Sequence, residues 1–421
     1  MLKQLKNNFQ AYVSIVLIIS FLSSTLKSQE KNITFIIKKN PNHTNYWWIN
    51  SNNFGERISD FNLSNRFELK KNNTTYVMDI FAGLNDNKLE NIYLNQSFIK
   101  YELSEKTFLR LGKYYRDFSK YMNDELSSGS MLISNNARAM KKIGLVNKKT
   151  FEKNKKISFD IGIAHALFNK SESYIDAPQL HEKFIYINIK KIDYEYGVGL
   201  VHEAMWGGNI KNIGRQPDKF KDFLKVFIAS DGDFVEGKAH ANALGNHLGI
   251  WDFYYIKSQD TKILKLYYQH FFEDTSGLRF ANKSDGLWGI ELVEYFPNTN
   301  IVLEYLNTTN QDINPPYVED SYYNHSEYID GWSYKNHSIG NPFIKFLETN
   351  PLEVFHLGIK GSFSNKYNYQ FLGSRRVDSS DTIKYKIKLE KEVKKNSLFL
   401  NTFIINDSQR NGIGFGVYWV L

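Results

Sequence analysis

At two places in this chain a histidine is followed directly by a glutamate, which makes both places candidates for metal chemistry. They are His181-Glu182 and His202-Glu203. A zinc protease needs a second histidine four positions after the first, but those positions hold Ile185 and Trp206. The sequence has no Gly-x-Ser-x-Gly elbow and no glycine-rich phosphate loop. The absence of cysteine excludes thiolate ligands and cysteine nucleophiles. The sequence therefore predicts no catalytic residue, no cofactor and no metal ligand.

Glu273 and Asp274 are adjacent carboxylates that could suggest acid–base chemistry on a glycosidic bond. Neighbouring side chains on a strand point to opposite faces. Glycoside cleavage needs two carboxyl groups that face one sugar linkage. This pair is therefore a poor candidate for catalysis.

Aromatic side chains alternate with polar ones in several segments, which is a combination suited to carbohydrate. Aromatic planes stack on the apolar face of a sugar, polar side chains bind its hydroxyls, and arginine can pair bidentately with a uronate carboxylate. The alternative is structural, with the tryptophans packed in an interior or placed at a membrane interface. The candidate polysaccharide-binding residues are Arg138, His202, Glu203, Trp206, Asn246, His247, Arg279, Asp285, Trp288, Trp332 and Tyr334.

The elements that must position these residues are strands, because apolar residues recur at every second position. In residues 383–389, Ile383, Ile387 and Leu389 share one face, while Lys384, Lys386 and Lys388 share the other. We count about 18 such segments, with short polar turns or long loops between them. One large domain is favoured over two, because no repeat or flexible linker divides the chain.

The apolar faces combine tyrosine and phenylalanine with isoleucine and leucine, which is typical of strands that face lipid. The chain ends on an alternating strand, residues 413–421, as proteins recognised by barrel-insertion machinery commonly do. We therefore predict an all-β protein, a transmembrane antiparallel barrel with long extracellular loops. In such a barrel, Lys384, Lys386 and Lys388 would face the lumen. We expect Glu195, Glu291 or Glu304 to neutralise their charge there. A secreted soluble β-protein is the alternative.

Residues 217–230 break the alternation. Phe220, Leu224 and Ile228 recur at helical spacing, and Pro217 suits the start of a helix. We predict a short amphipathic helix in a loop, packed on the barrel mouth or plugging the lumen. A membrane-surface helix is the alternative.

The first 28 residues have the layout of an export signal. Lys3 and Lys6 precede an apolar run over residues 11–22, and small residues up to Ser28 offer a cleavage site. The run is shorter than the ~20 residues that a membrane-spanning helix needs. We predict a signal peptide over 1–28 and the barrel over 29–421.

Composition excludes several other classes of protein. The net charge of +8 is mild and dispersed, which argues against nucleic-acid binding. Aromatic residues make up 15% of the chain and prolines number only 8, so disorder is excluded. We expect a monomer whose partners are outer-membrane lipid and surface polysaccharide.

Seven segments in this order resemble the Wzi family of capsule-assembly proteins. They include the Ser134, Asn136 and Ala137 core and an Ile-Gly-Asn-Pro block that ends at Pro342. Ala139 and Lys141 depart from the family, which often has prolines there. The segments are 126–140 (LSSGSMLISNNARAM), 163–168 (IAHALF), 177–187 (APQLHEKFIYI), 200–208 (LVHEAMWGG), 242–249 (NALGNHLG), 267–291 (YYQHFFEDTSGLRFANKSDGLWGIE) and 322–342 (YYNHSEYIDGWSYKNHSIGNP).

The resemblance implies an 18-stranded barrel in the outer membrane of a Gram-negative bacterium. It also implies a lectin that binds capsular polysaccharide or a related exopolysaccharide and retains it at the cell surface without catalysis. Two alternatives stay open. A diffusion porin would share the barrel but keep a water-filled lumen, and an outer-membrane lipase or sugar deacetylase would need a catalytic set that the sequence does not supply.

Overall fold

A computed structural model of the chain describes residues 30–41, 46–56, 59–85, 88–151, 156–230, 232, 243–273, 278–311, 322–347, 350–377, 382–408 and 410–420. The predicted signal peptide and the C-terminal Leu421 lie outside these ranges. No helix within the described ranges is long and apolar enough to cross a bilayer.

Eighteen antiparallel strands in the described ranges form one closed sheet, as the alternation predicts. They are β1 Glu30–Lys39, β2 Phe61–Lys71, β3 Thr74–Asn85, β4 Lys88–Ser104, β5 Thr107–Tyr114, β6 Met140–Thr150, β7 Ile157–Leu167, β9 Gln179–Lys190, β10 Tyr194–Trp206, β13 Asn246–Gln259, β14 Lys262–Phe272, β15 Gly286–Phe296, β16 Thr299–Asn307, β19 Glu353–Ser364, β20 Tyr367–Val377, β21 Thr382–Lys394, β22 Leu398–Asp407 and β23 Asn411–Val420.

Smaller elements lie in the loops between these strands. They are the strands β8 Tyr174–Asp176, β11 Asn209–Ile210, β12 Gly214–Arg215, β17 Ser333–Tyr334 and β18 His337–Ser338, and the helices Trp47–Asn50 and Phe220–Phe227.

The barrel closes where the first and last strands meet. β1 pairs with β23 from Thr34 opposite Val420 to Lys39 opposite Phe415, and its other edge pairs with β2. Closure pairs both edges of this sheet. An open edge would leave backbone N–H and C=O groups in lipid, which cannot form hydrogen bonds with them.

The outward face of the barrel is apolar, and the inward face is polar. In β6, Lys142 is buried, whereas its neighbours Ile143 and Leu145 are exposed on the outside. This inverts the pattern of a soluble protein and identifies the outer surface as the one that faces lipid. On β21, Ile383, Ile387 and Leu389 are exposed in the same way, which confirms the predicted register.

The expected neutralisation of the lumenal lysines is wrong in its partners. Lys388 pairs with Glu390 of its own strand at 3.2 Å, whereas Glu291 pairs with Lys265 at 2.8 Å. Glu304 binds loop residues described below.

The two ends of the barrel differ in their connections. At one end, β1 begins and β23 ends on the same side of the barrel as tight turns such as 72–73, 105–106 and 260–261. At the other end, long loops include 40–60, 115–139, 207–245 and 308–352. Outer-membrane barrels carry their longer loops outside the cell, so the long-loop end is extracellular.

We expect Ile387→Arg to destabilise the folded barrel in lipid vesicles by about 2–4 kcal/mol, because it places a charge near the middle of the lipid-facing band. The measurement is the free energy of unfolding in denaturant. The neighbouring Lys386→Gln is the matched control. Its ammonium lies inside the barrel, 5.2 Å from the centre of the Phe403 ring, so its loss should change the stability by about 1 kcal/mol or less. Equal effects would contradict the register.

Candidate functional site

Three extracellular loops fold back into the lumen and fill it. We call the described parts of loops 40–60, 115–139 and 308–352 the plug. Its largest side chains, including Phe118, Met131, Tyr323 and Trp332, are almost completely buried. They form one continuous core with inward-facing wall residues such as Val201 and Leu248. A barrel of this strand number would otherwise enclose a wide water-filled channel.

The plug loops are joined by side chains that bind the backbone of a neighbouring loop. The Ser134 hydroxyl donates to the carbonyl of Gly340 at 2.6 Å, and the Trp332 indole N–H donates to that of Leu132 at 2.9 Å. Asn136 and Asn341 donate side-chain N–H groups to Ser338 and Gly129 at 2.9 and 2.8 Å. Two of the segments that carry the family resemblance, 126–140 and 322–342, therefore bind each other.

Five consecutive strands each contribute one buried polar wall residue that binds loop 115–139. The carboxylate of Glu304 accepts the Ser127 hydroxyl and the Ser128 N–H, both at 2.6 Å. The five residues are Asp252 on β13, Gln269 on β14, Glu291 on β15, Glu304 on β16 and His356 on β19. Because these bonds are buried, they fix the depth of the loop in the lumen.

Asp252 is bonded by three hydroxyl groups. Ser119, Tyr121 and Tyr186 all donate their hydroxyls to its carboxylate. Burial raises the pKa of the Tyr121 hydroxyl well above its usual value, and the nearby Asp252 carboxylate raises it further. Tyr121 therefore stays a neutral donor across the physiological pH range.

Asp285, one of the predicted sugar contacts, holds two loops together. It is buried and accepts bonds from the backbone and side-chain N–H groups of Asn310 at 2.9 Å, and from the Tyr322 hydroxyl at 2.7 Å. Burial raises the pKa of Asp285, and these hydrogen bonds oppose the rise.

Glu203 lies on the inner wall directly opposite Glu182 in the β9–β10 register. Glu182 forms a buried ion pair with Lys142 at 2.6 Å. Neither oxygen of Glu203 has a hydrogen-bond partner among the residues that the structure describes. Asn246 is also buried, and its amide approaches the Met205 sulfur at 3.7 Å.

His202, Trp206 and His247 lie on the opposite side of the wall. Their strand positions point outward, and His202 Nε2 lies 2.8 Å from His247 Nδ1. The helix Phe220–Phe227 covers this region, with Val226 packed on Ala204 and Trp206. The predicted helix is thus confirmed, but its expected position at the mouth or in the lumen is wrong. The outward-facing residues of β7, β9, β10 and β13 form the surface on which it packs.

The remaining candidates have three different surroundings. Trp332 and Tyr334 are buried in the plug, and the Tyr334 hydroxyl accepts a bond from Asn169 at 3.0 Å. Trp288 is on the outer wall, stacked on Tyr268 at a ring separation of 3.7 Å, as in an interfacial aromatic girdle. Arg279 is exposed in an extracellular loop.

Arg138 links two plug loops. Its Nε donates to the Gly55 carbonyl at 3.2 Å, and its guanidinium lies 3.5 Å from the centre of the Tyr93 ring. The eleven candidates therefore do not converge on one pocket. Eight of them are buried, and the contacts that the structure shows for them are with other parts of the protein. Their assignment as polysaccharide contacts stays a prediction.

The extracellular rim brings together Arg138 and three lysines that the sequence analysis did not select. Lys113 on β5 lies opposite Lys141 on β6, and Lys141, Arg138 and Lys335 all act electrostatically on its ammonium group. In the described ranges, no carboxylate forms an ion pair with Lys113, Lys141 or Lys335. We call these four residues the basic rim. Arg138 and Lys141 are close in sequence, but Lys113 and Lys335 come from other parts of the chain, so only the strand register and the loop fold could reveal the cluster.

A large apolar cavity of about 910 Å³ is also present, but on the lipid-facing side of the wall. Its lining includes Val198, Phe253, Trp288 and Phe355. Such a surface suits acyl chains and offers few partners for sugar hydroxyls. Within the described ranges, no group of three or more histidine or acidic side chains is placed to hold a metal ion.

Comparison with known proteins places these features in a family. The family model for capsule assembly protein Wzi matches residues 49–411. Wzi of Escherichia coli, described as an outer membrane protein involved in group 1 capsule assembly and a carbohydrate-binding β-barrel, aligns with a TM-score of 0.59 at 15% identity over 97% of this chain and 87% of that chain. The likeness to that structure shows a shared fold.

Two other solved barrels align less well. OccK5 of Pseudomonas aeruginosa gives a TM-score of 0.45 at 9% identity over 94% of this chain and 98% of its own. OccAB4 of Acinetobacter baumannii gives 0.44 at 11% identity over 94% and 99%. No curated protein sequence matches the chain.

We expect Glu304→Ala to loosen the plug, because it leaves the Ser127, Ser128 and Tyr267 donors unpaired in a buried site. Each orphaned donor costs about 1–3 kcal/mol. The measurement is single-channel conductance in planar bilayers, where the unaltered protein should stay closed and the variant should show openings.

Glu390→Ala is the matched control for this experiment. Glu390 also faces the lumen, but its described partners, Lys388 and Asn368, belong to the wall. The control should stay closed. Large steady conductance of the unaltered protein would contradict a plug that seals the lumen.

Proposed function

The chain belongs to the Wzi family of capsule assembly proteins, and on that premise we propose that it binds capsular or related surface polysaccharide and helps to retain or assemble it at the cell surface. It is an outer-membrane β-barrel. The observation that carries the proposal is the plug, which closes the extracellular end and turns the barrel into a rigid platform.

The plug separates this proposal from that of a diffusion porin. A porin needs a continuous aqueous path, whereas here buried side chains from three loops occupy the lumen. The wall carboxylates that could line a cation path instead accept bonds from loop 115–139. No observation favours the porin.

The basic rim is the surface that we assign to polysaccharide binding. Lys141 and Lys335 are exposed at the extracellular end, and Arg279 adds a further exposed cation in loop 273–285. Guanidinium and ammonium groups pair with the carboxylates of an acidic polymer. Neutral polymers would lack this attraction, so the proposed ligand is an acidic surface polysaccharide.

Binding on this surface requires no chemical step. The histidine–glutamate pairs that could suggest metal chemistry are divided by the wall, because His202 faces outward and Glu203 faces inward. We therefore propose a lectin without catalysis, E. coli Wzi being a precedent as a carbohydrate-binding barrel.

The route to the membrane follows from the sequence. Residues 1–28 would direct export and be removed, and the alternating terminal strand would be read by the barrel-insertion machinery. A monomeric state is our further expectation, since the barrel closes within one chain.

We expect the double variant Lys141→Gln/Lys335→Gln to bind the host's purified acidic surface polysaccharide about 2- to 30-fold more weakly. Each exposed ion pair contributes about 0.2–1 kcal/mol, and tenfold in affinity corresponds to about 1.4 kcal/mol. Raised salt should weaken binding of the unaltered protein and reduce the difference from the variant. Cells that carry the variant should release more polymer into the medium.

Lys71→Gln/Lys106→Gln is the charge-matched control, because Lys71 and Lys106 are exposed at the opposite, periplasmic end. It should bind as the unaltered protein does. Arg138→Ala is unsuitable as a test, since losing the bond to Gly55 would disturb the plug itself. If the rim double variant binds as tightly as the control and salt has no effect, the basic rim is not the binding surface.

A further inference from the structure

The helix Phe220–Phe227 presents a second apolar stripe that nothing in the described chain covers. Its inner face contributes Phe223 and Val226 to the wall. On its outer face, Phe220, Leu224 and Ile228 are 75%, 50% and 72% exposed. These three residues recur at intervals of four, so they lie along one side of the helix.

The wall beneath the helix is unusually polar for a lipid-facing surface. The strand register places His165 beside His181, His181 beside Ala204 and Ala204 beside His247. Phe223 contacts the rings of His165 and His181, each at 5.3 Å between centroids. Imidazoles exposed to hydrocarbon would be costly, and the helix shields them.

The helix lies at the level of the outer leaflet. His165 lies eight residues beyond Ile157, the periplasmic start of β7. At about 3.3 Å per residue and a tilt of about 45°, this is roughly 19 Å along the membrane normal. The apolar band of such barrels is about 25 Å tall. On the same strands, the exposed residues Ile163, Ile187 and Val198 lie below the helix, so its stripe continues that band upward.

Both ends of the helix are fixed. The Asp222 carboxylate accepts the Lys219 N–H at 3.0 Å in the first turn, and the Lys183 ammonium on β9 donates to the Phe227 carbonyl in the last turn. These charges complement the helix dipole. The stripe is therefore held in one orientation, facing away from the wall.

We propose that this helix is a lipid-binding surface that inserts Phe220, Leu224 and Ile228 among the acyl chains of the outer leaflet. The exposed Lys219 and Lys221 flank the stripe, where they pair with the phosphate groups of the outer-leaflet glycolipid. An apolar stripe with basic flanks is the pattern of helices that lie in a membrane interface. The surface is distinct from the basic rim, and it would orient the barrel mouth relative to the surrounding lipid.

The absence of cysteine permits a direct test. Single cysteines replace Phe220, Leu224 or Ile228, each carries a nitroxide label, and the protein is reconstituted in phosphatidylcholine vesicles with and without lipid A. Collision of the label with oxygen reports a hydrocarbon environment, and collision with a water-soluble nickel complex reports an aqueous one. Ile163→Cys on the lipid-facing wall and Glu172→Cys in an exposed extracellular loop are the two references.

We expect the labels at 220, 224 and 228 to collide with oxygen several-fold more than with nickel, as at 163, whereas Glu172→Cys gives the reverse. Adding lipid A should immobilise these labels further, and Lys219→Gln/Lys221→Gln should remove that effect while leaving the collision ratio unchanged. Heat-modifiable gel mobility checks that each variant folds. Nickel-accessible labels at all three positions would overturn the proposal. So would spin–spin broadening, which would indicate a second copy of the chain as the occupant.

Discussion

The width of the lumen is the constraint on which the rest of this structure depends. Eighteen strands enclose more space than the inward side chains can fill, and an unfilled lumen would be an open pore through the membrane. The protein fills it with three of its own loops. Polar groups carried into that interior must find partners. The wall supplies Gln269, Glu304 and His356 for loop backbone groups, and Asp252 and Glu291 for loop side chains.

This requirement gives the family-like segments a physical meaning. Ser134, Asn136 and Asn341 bind backbone carbonyls of neighbouring loops, so a substitution there would leave buried groups unpaired. Gly340 has no room for a side chain, because an added Cβ would lie 2.1 Å from the Tyr323 hydroxyl. Such residues preserve a closed platform. In our proposal, the polymer binds the exposed rim above this platform.

A second consequence concerns the outer wall. Bilayer contact requires apolar outward residues, yet His165, His181, His202 and His247 point outward near the extracellular end. The helix Phe220–Phe227 resolves the conflict, because it buries the histidines and presents its own apolar stripe. One chain thus uses loops on both sides of its wall: three fill the lumen, and one covers polar residues outside.

The sequence by itself determined the barrel, its lipid-facing register and the existence of the helix, because strand alternation and helical spacing are local patterns. On β21, the exposed Ile383, Ile387 and Leu389 are the predicted ones. Only the tertiary structure decided where the loops go. Ser134 meets Gly340 across 206 residues of sequence, and Trp332 and Asp285 resemble sugar contacts in composition but are buried by such long-range partners. A side chain's type states which bonds it can form, whereas its partner depends on how the loops fold together.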